Sequence, residues 1–228
     1  MARGRQSSTT PATELNVPAA RRLLETYTGL AQRGAHLFGD LLSDATPKQW
    51  AHYPDDDALD HASGFQWFYH SHAPEEQTQT SEHGHIHLFA RRRLWSRRLR
   101  STREQKFASL AEGMSMAPNT RHLLGIGFDA KGVPMSIFTV NSWVTGDLML
   151  SAGLTSELLD GLRLDTGHAA IDAVIQSVLA MHRAEIRQLL QRRDEVLFGR
   201  EGDVLADHGL EVLSEIKIDV DAKLECIA

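Results

Sequence analysis

The sequence predicts an α+β protein in which an antiparallel sheet of about four strands carries N-terminal and C-terminal helices packed on it. Three observations predict it. A helical apolar stripe opens the chain, two pairs of aromatic and β-branched runs occupy its middle, and a longer helical stripe fills its last third.

Met1 to Asn16 is rich in Ser, Thr, Arg and Gly without apolar periodicity and reads as a mobile tail, which leaves residues 17–228 as a single domain. From Pro18, suited to a first helical turn, the spacing of Leu23, Leu24, Tyr27, Leu30 and Ala31 predicts a helix to about Gln32. A short second helix is expected from His36 to Leu42. The polar stretch between Trp50 and Ser63 suits a connecting loop. The runs Phe65 to His72 and His83 to Ala90 then read as two strands joined by the polar loop Ala73 to Glu82. A second hairpin is clearer, because RHLLGIGFD and VPMSIFTVN flank Ala130, Lys131 and Gly132, with Gly where positive φ is needed. In the last third, Ile171, Val174, Ile175, Val178, Leu179, His182, Ile186, Leu189 and Leu190 keep one stripe from about His168 to Val196. A further helix from about Asp203 to Ile216 is expected to pack Leu205, Leu210 and Leu213.

The 228 residues are 42% hydrophobic and 24% charged, which is the composition of a folded globular protein. The formal net charge of -6 argues against nucleic acid as a partner. Cys226 is the single cysteine, so no intrachain disulfide or thiolate zinc cluster can form, and any metal must be held by nitrogen and oxygen. No run approaches the roughly 18 apolar residues of a membrane helix, and the N-terminus lacks an apolar stretch; the expected location is the cytoplasm, off the membrane.

Five of the twelve histidines, His70, His72, His83, His85 and His87, fall within eighteen residues. Side chains alternate along a strand, so His83, His85 and His87 share one face at intervals of about 6.6–6.8 Å, as do His70 and His72 on theirs. If His72 lies opposite His83, then His70 lies opposite His85 and four imidazoles converge. Several imidazoles on one face gain little from packing and repel one another when protonated, whereas a transition metal, iron, zinc or copper, unites them. Glu75, Glu76 and Glu82 are candidate carboxylate ligands, and His122, at the start of the third strand, is a candidate extra ligand. An open position would make the site a metal-dependent hydrolase or oxygenase acting on a small-molecule substrate; a closed one would suit a metal sensor or delivery protein.

Arg91, Arg92, Arg93, Arg97 and Arg98 surround Trp95 and form a candidate phosphate or anion patch, against the commoner reading of a solvated face. Asn141 and Trp143 are candidate pocket residues, and Asp147 suits either that pocket or a helix cap. His182 lies on the apolar stripe of the long helix, where a core role is expected. Gly125-Ile126-Gly127 is too short for a dinucleotide fingerprint.

The run His83-Gly84-His85-Ile86-His87-Leu88-Phe89 resembles the histidine-triad signature of nucleotide hydrolases and transferases. That resemblance implies His85 as the catalytic nucleophile, supported by His83 and His87. It covers seven residues and departs from the family at Gly84, where an apolar residue is usual. Through TVNSWVTGD and EHGHIHLF the whole chain is similar to an uncharacterised family of bacterial proteins, a domain of unknown function, which implies no activity.

Overall fold

The computed structural model describes residues 12–42, 48, 51–72, 82–110 and 119–227. Among the described residues, six strands, β1 (Tyr53–Leu59), β2 (Phe65–Ser71), β3 (Gly84–Arg91), β4 (Thr120–Phe128), β5 (Pro134–Val140) and β6 (Val212–Lys217), form one sheet. Their spatial order is their sequence order, and each neighbouring pair is antiparallel.

The helices are α1 (Ala12–Gln32), α2 (Gly39–Leu42), α3 (Arg92–Trp95), α4 (Thr102–Leu110), α5 (Ser142–Thr145), α6 (Ala152–Asp160), α7 (Ala169–Met181), α8 (Arg183–Gly199) and α9 (Val220–Glu225). A 3₁₀ turn spans Val204–Ala206. The fold is thus the expected α+β type, with two strands more than the four expected. Among the described residues, no helix is long and apolar enough to cross a membrane.

Both extra strands are sheet edges. β1 replaces the expected loop: its Pro54 and three aspartates suggest a turn, but an edge strand tolerates proline and charge, and the strand bulges between Tyr53 and Ala58, where Asp57 has φ 54°. β6 takes the last part of the expected helix from Asp203 to Ile216, whose start holds only the 3₁₀ turn. The spacing of Leu205, Leu210 and Leu213 imitates a helical stripe, but only Leu213 lies in the strand, where Val212 and Ile216 belong to a side that is exposed or half-buried. The expected long helix is divided at His182, which separates α7 from α8. α1 starts at Ala12, ahead of Pro18.

One face of the sheet is apolar. Trp67, Ile86, Leu88, Leu124, Ile126, Phe128 and Ile137 pack with Leu23 and Leu30 of α1 and with Ile171, Val174, Ile175 and Val178 of α7 in one continuous core. A polar tie crosses it: Trp67 Nε1 donates to Asp172 Oδ1 at 2.9 Å, and the same carboxylate accepts from the backbone N–H and hydroxyl of Thr166. The β4–β5 turn is closed by Asp129, whose Oδ1 accepts from Lys131 N and Val133 N, with Gly132 at φ 74° as its sequence position requires.

Candidate metal centre

The other face of the sheet carries the histidines. In the β2–β3 ladder His70 lies opposite His85 and Phe68 opposite His87, and His72 N donates to His83 O. Opposed residues of an antiparallel pair project to one side, so the alternating histidines of both strands meet there.

His122 reaches the same side by an irregularity. Leu88 pairs with Leu124, but the next residue, Phe89, pairs with His122, so Leu123 is an extra residue in β4. This bulge reverses the side-chain alternation. Leu124, Ile126 and Phe128 therefore face the core while His122 faces His87, with His87 Nδ1 and His122 Nε2 3.0 Å apart and both side chains buried.

Three donor atoms converge at the half-buried end of the cluster. His72 Nε2 and His85 Nδ1 are 3.0 Å apart, His85 Nδ1 is 2.9 Å from Glu82 Oε1, and His72 Nε2 is 3.6 Å from that same oxygen. A point about 1.9 Å from all three atoms exists at the centre of this triangle, close to the 2.0–2.2 Å bonds of zinc to nitrogen and oxygen. A donor nitrogen of His70 lies within 4.8 Å of those of His72 and His85. A neutral imidazole nitrogen is either a donor or an acceptor, so His85 Nδ1 serves only one of these two neighbours well by hydrogen bonding. A cation serves all three.

Glycine makes room for this arrangement. Gly127 pairs with His85 on one side and Ser136 on the other, and a Cβ at Gly127 would overlap the Glu82 carboxylate and the Ser136 hydroxyl. Gly125, opposite His87, yields its space to the Phe138 ring in the same way. The Gly-Ile-Gly segment is therefore a cradle for a carboxylate and an aromatic ring, not a phosphate loop. Ser136 Oγ donates to Glu82 Oε2 at 3.0 Å and fixes the carboxylate from behind.

The electrostatics suit lone-pair donation. Burial pushes His70 down to about 3, with His85, His72 and His52 adding to the effect, and it holds His87 well below the ordinary range. His122 is pushed down to about 3 by burial and by the nearby Arg193 guanidinium. These rings are neutral at physiological pH. For Glu82, burial raises the carboxyl, but hydrogen bonds from His85 and Ser136 and the proximity of His72 outweigh it, and the group titrates below the usual glutamate range.

The remaining candidates are placed as follows. His83 extends the ladder, its N donating to Phe128 O, but it is outside the group of three converging histidines. Glu75 and Glu76 lie outside the described residues. Arg91 is half-buried at the end of β3, while Arg92, Arg93, Arg97 and Arg98 are exposed. Arg93 donates to His61 O, and Arg98 pairs with Glu157. Asn141 is a structural residue: its Oδ1 accepts from Ser142 N at the start of α5, and its Nδ2 donates to Val204 O and Leu210 O. Trp143 Nε1 also donates to Leu210 O. Asp147 caps no helix; it accepts from the Thr120 hydroxyl.

Three contributors were not read from the sequence. Ser136 and Phe138 lie in a strand without distinctive polarity. His52 stacks on Phe68 with ring centroids 3.6 Å apart, and it lies in the stretch read as a loop.

The pattern of one known family, described as a domain of unknown function (DUF6969), matches residues 17–218. The chain belongs to this family. The DUF6969 span takes in all six strands, so every histidine of the cluster lies within it. No curated protein and no solved structure matches the chain.

Proposed function

We propose that this DUF6969 protein binds one transition-metal ion through His70, His72, His85 and Glu82 and uses it as a metalloenzyme. The observation that supports this reading is the triangle formed by His72 Nε2, His85 Nδ1 and Glu82 Oε1, with His70 beside it. A set of imidazoles with one carboxylate and no thiolate suits zinc, iron or copper.

The side chains of His72, Glu82 and His85 are 20%, 14% and 13% exposed, so the donors stand at the edge of the buried region rather than within it. Four protein donors leave a position for a small molecule only on an ion that takes more than four ligands, and such a position would favour catalysis over storage. Bound there, the metal supplies Lewis acidity toward water or a substrate oxygen. The chain's own residues hold the donors in place: Ser136 aims Glu82, and the buried His87–His122 pair fills the floor beneath His85.

Elemental analysis of the protein purified without a histidine tag tests the reading, with stoichiometric zinc, iron or copper expected. Absence of metal after growth in metal-replete medium would overturn it, and metal-independent hydrolysis of adenosine phosphoramidate that is lost in His85→Ala would replace it with the histidine-triad reading.

A further inference from the structure

α1 carries more apolar surface than the core takes. Leu23 and Leu30 are buried in the core, whereas Val17 and Leu24, the latter expected in the same stripe, are 41% and 52% exposed. Both line a groove of about 460 Å³ whose other wall is Leu224 of α9 and Ile227. The groove follows α1 from Val17 to Gln32, about 24 Å of helix. Exposed apolar side chains gathered in one groove, rather than scattered singly, mark a docking surface.

Two further features point to a second copy of the chain as the occupant. Arg21 and Glu25 also line the groove; both are exposed and stand one turn apart, yet neither forms an ion pair among the described residues. Arg21 precedes Glu25, which is the weaker order for a pair within one helix. Gly29, on the same lining and inside α1, has no positive φ to require it, and a Cβ there would meet only the end of the exposed Arg33 side chain. Glycine in a helix interior is disfavoured against alanine, so its presence suits a close approach from outside.

Val17, Arg21, Glu25 and Gly29 form one row at intervals of four, and the row is complementary to itself when reversed. A two-fold axis level with the midpoint between Arg21 and Glu25 sets Arg21 of one copy beside Glu25 of the other, brings Val17 to the level of Gly29, and places the two Leu24 side chains next to each other near the axis. A parallel pairing would instead set Arg21 against Arg21 and Glu25 against Glu25. We propose that α1 forms the interface of an antiparallel homodimer, in which the groove of each copy receives Val17 and Leu24 of the other. One helix face with the end of α9 is small beside the roughly 800 Å² per partner of a standard interface, so the dimer is expected to dissociate in the micromolar range. Because α1 packs on the apolar side of the sheet, this interface and the candidate metal centre lie on opposite sides.

Sedimentation velocity of the full chain across the micromolar range, up to about 1 mM, tests the proposal, with a reversible monomer–dimer equilibrium expected. Leu24→Lys, at an exposed position, is expected to keep native circular dichroism and to weaken dimerisation about tenfold or more. Arg21→Glu and Glu25→Arg each set like charges beside one another and are expected to weaken it too; combined, they restore the pair with its signs exchanged, and dimerisation is expected to recover. A monomer at every concentration overturns the proposal. So does a dimer whose dissociation constant is unchanged in Leu24→Lys, which would put the interface on another surface, and a double variant no better than either single one overturns the antiparallel pairing.

Discussion

His70 faces His85 directly across the β2–β3 ladder, with their ring centroids 4.1 Å apart. No shared hydrogen bond is required for that approach. It follows from register, which in turn follows from the apolar partners of each strand being locked into the core on the opposite face. The histidines can therefore be replaced without disturbing what holds the hairpin in place.

His70→Ala and His85→Ala are each expected to lose most of the bound metal while retaining native circular dichroism. Elemental analysis of both variants beside the parent decides this. Full metal content in either would remove that residue from the ligand set.

Gly127→Ala is expected to act on the same site without touching a ligand. The added methyl overlaps the Glu82 carboxylate and the Ser136 hydroxyl, both side-chain groups that can move aside. Metal affinity should fall about 10- to 100-fold, the usual cost of disturbing a ligand's support. Competition with a chromogenic chelator measures it. An unchanged affinity would show that the space left by Gly127 does not position the carboxylate for the metal.

His182 sets a pH dependence of stability. Its folded-state pKa of about 4 lies below the ordinary histidine value, so between these two the unfolded chain binds the extra proton. Stability must then fall as pH drops from about 6.5 toward 4, with roughly 1–2 kcal/mol lost by pH 5 through this group. Urea unfolding at pH 7 and pH 5 should show a smaller loss for His182→Phe than for the parent. Equal losses would contradict the assignment.

Asp172→Ala should be the most damaging of these substitutions to the fold. It strands the buried Trp67 Nε1 and both Thr166 donors, and a loss of about 3 kcal/mol is expected. Thermal unfolding checks this. A melting temperature within a degree of the parent would show that the tie between β2 and α7 is dispensable.

Much of the site was legible because alternating histidines in two adjacent runs admit few registers, and the one that pairs His70 with His85 also buries Trp67 and Ile86. The β4–β5 hairpin was legible for a similar reason, its turn residues being chemically specific. The edge strands were hidden. β1 is rich in Asp and contains Pro, and Leu213 of β6 ends a helix-like spacing that starts at Leu205 and Leu210 before the strand; neither strand needs two buried faces. The route of His122 to the site was not legible: a residue two positions from Leu124 in a regular strand faces the core with it, and only the bulge at Leu123 brings His122 to His87. Ser136 and His52 gave no signal, since a serine in a strand and a histidine in a polar stretch acquire meaning only from what lies across from them.

The proposed ligands from His70 to His85 occupy sixteen consecutive positions and emerge during synthesis before β4 begins. A nascent or unfolded chain therefore already carries the same four donors on a short tether, where loop closure costs little. Because a metal stabilises the native state only by the difference between its affinities for folded and unfolded chains, loading should raise the melting temperature less than the affinity alone would suggest. What the later strands add is rigidity: Ser136 holds the carboxylate by a hydrogen bond, and Gly127 leaves the space in which it sits.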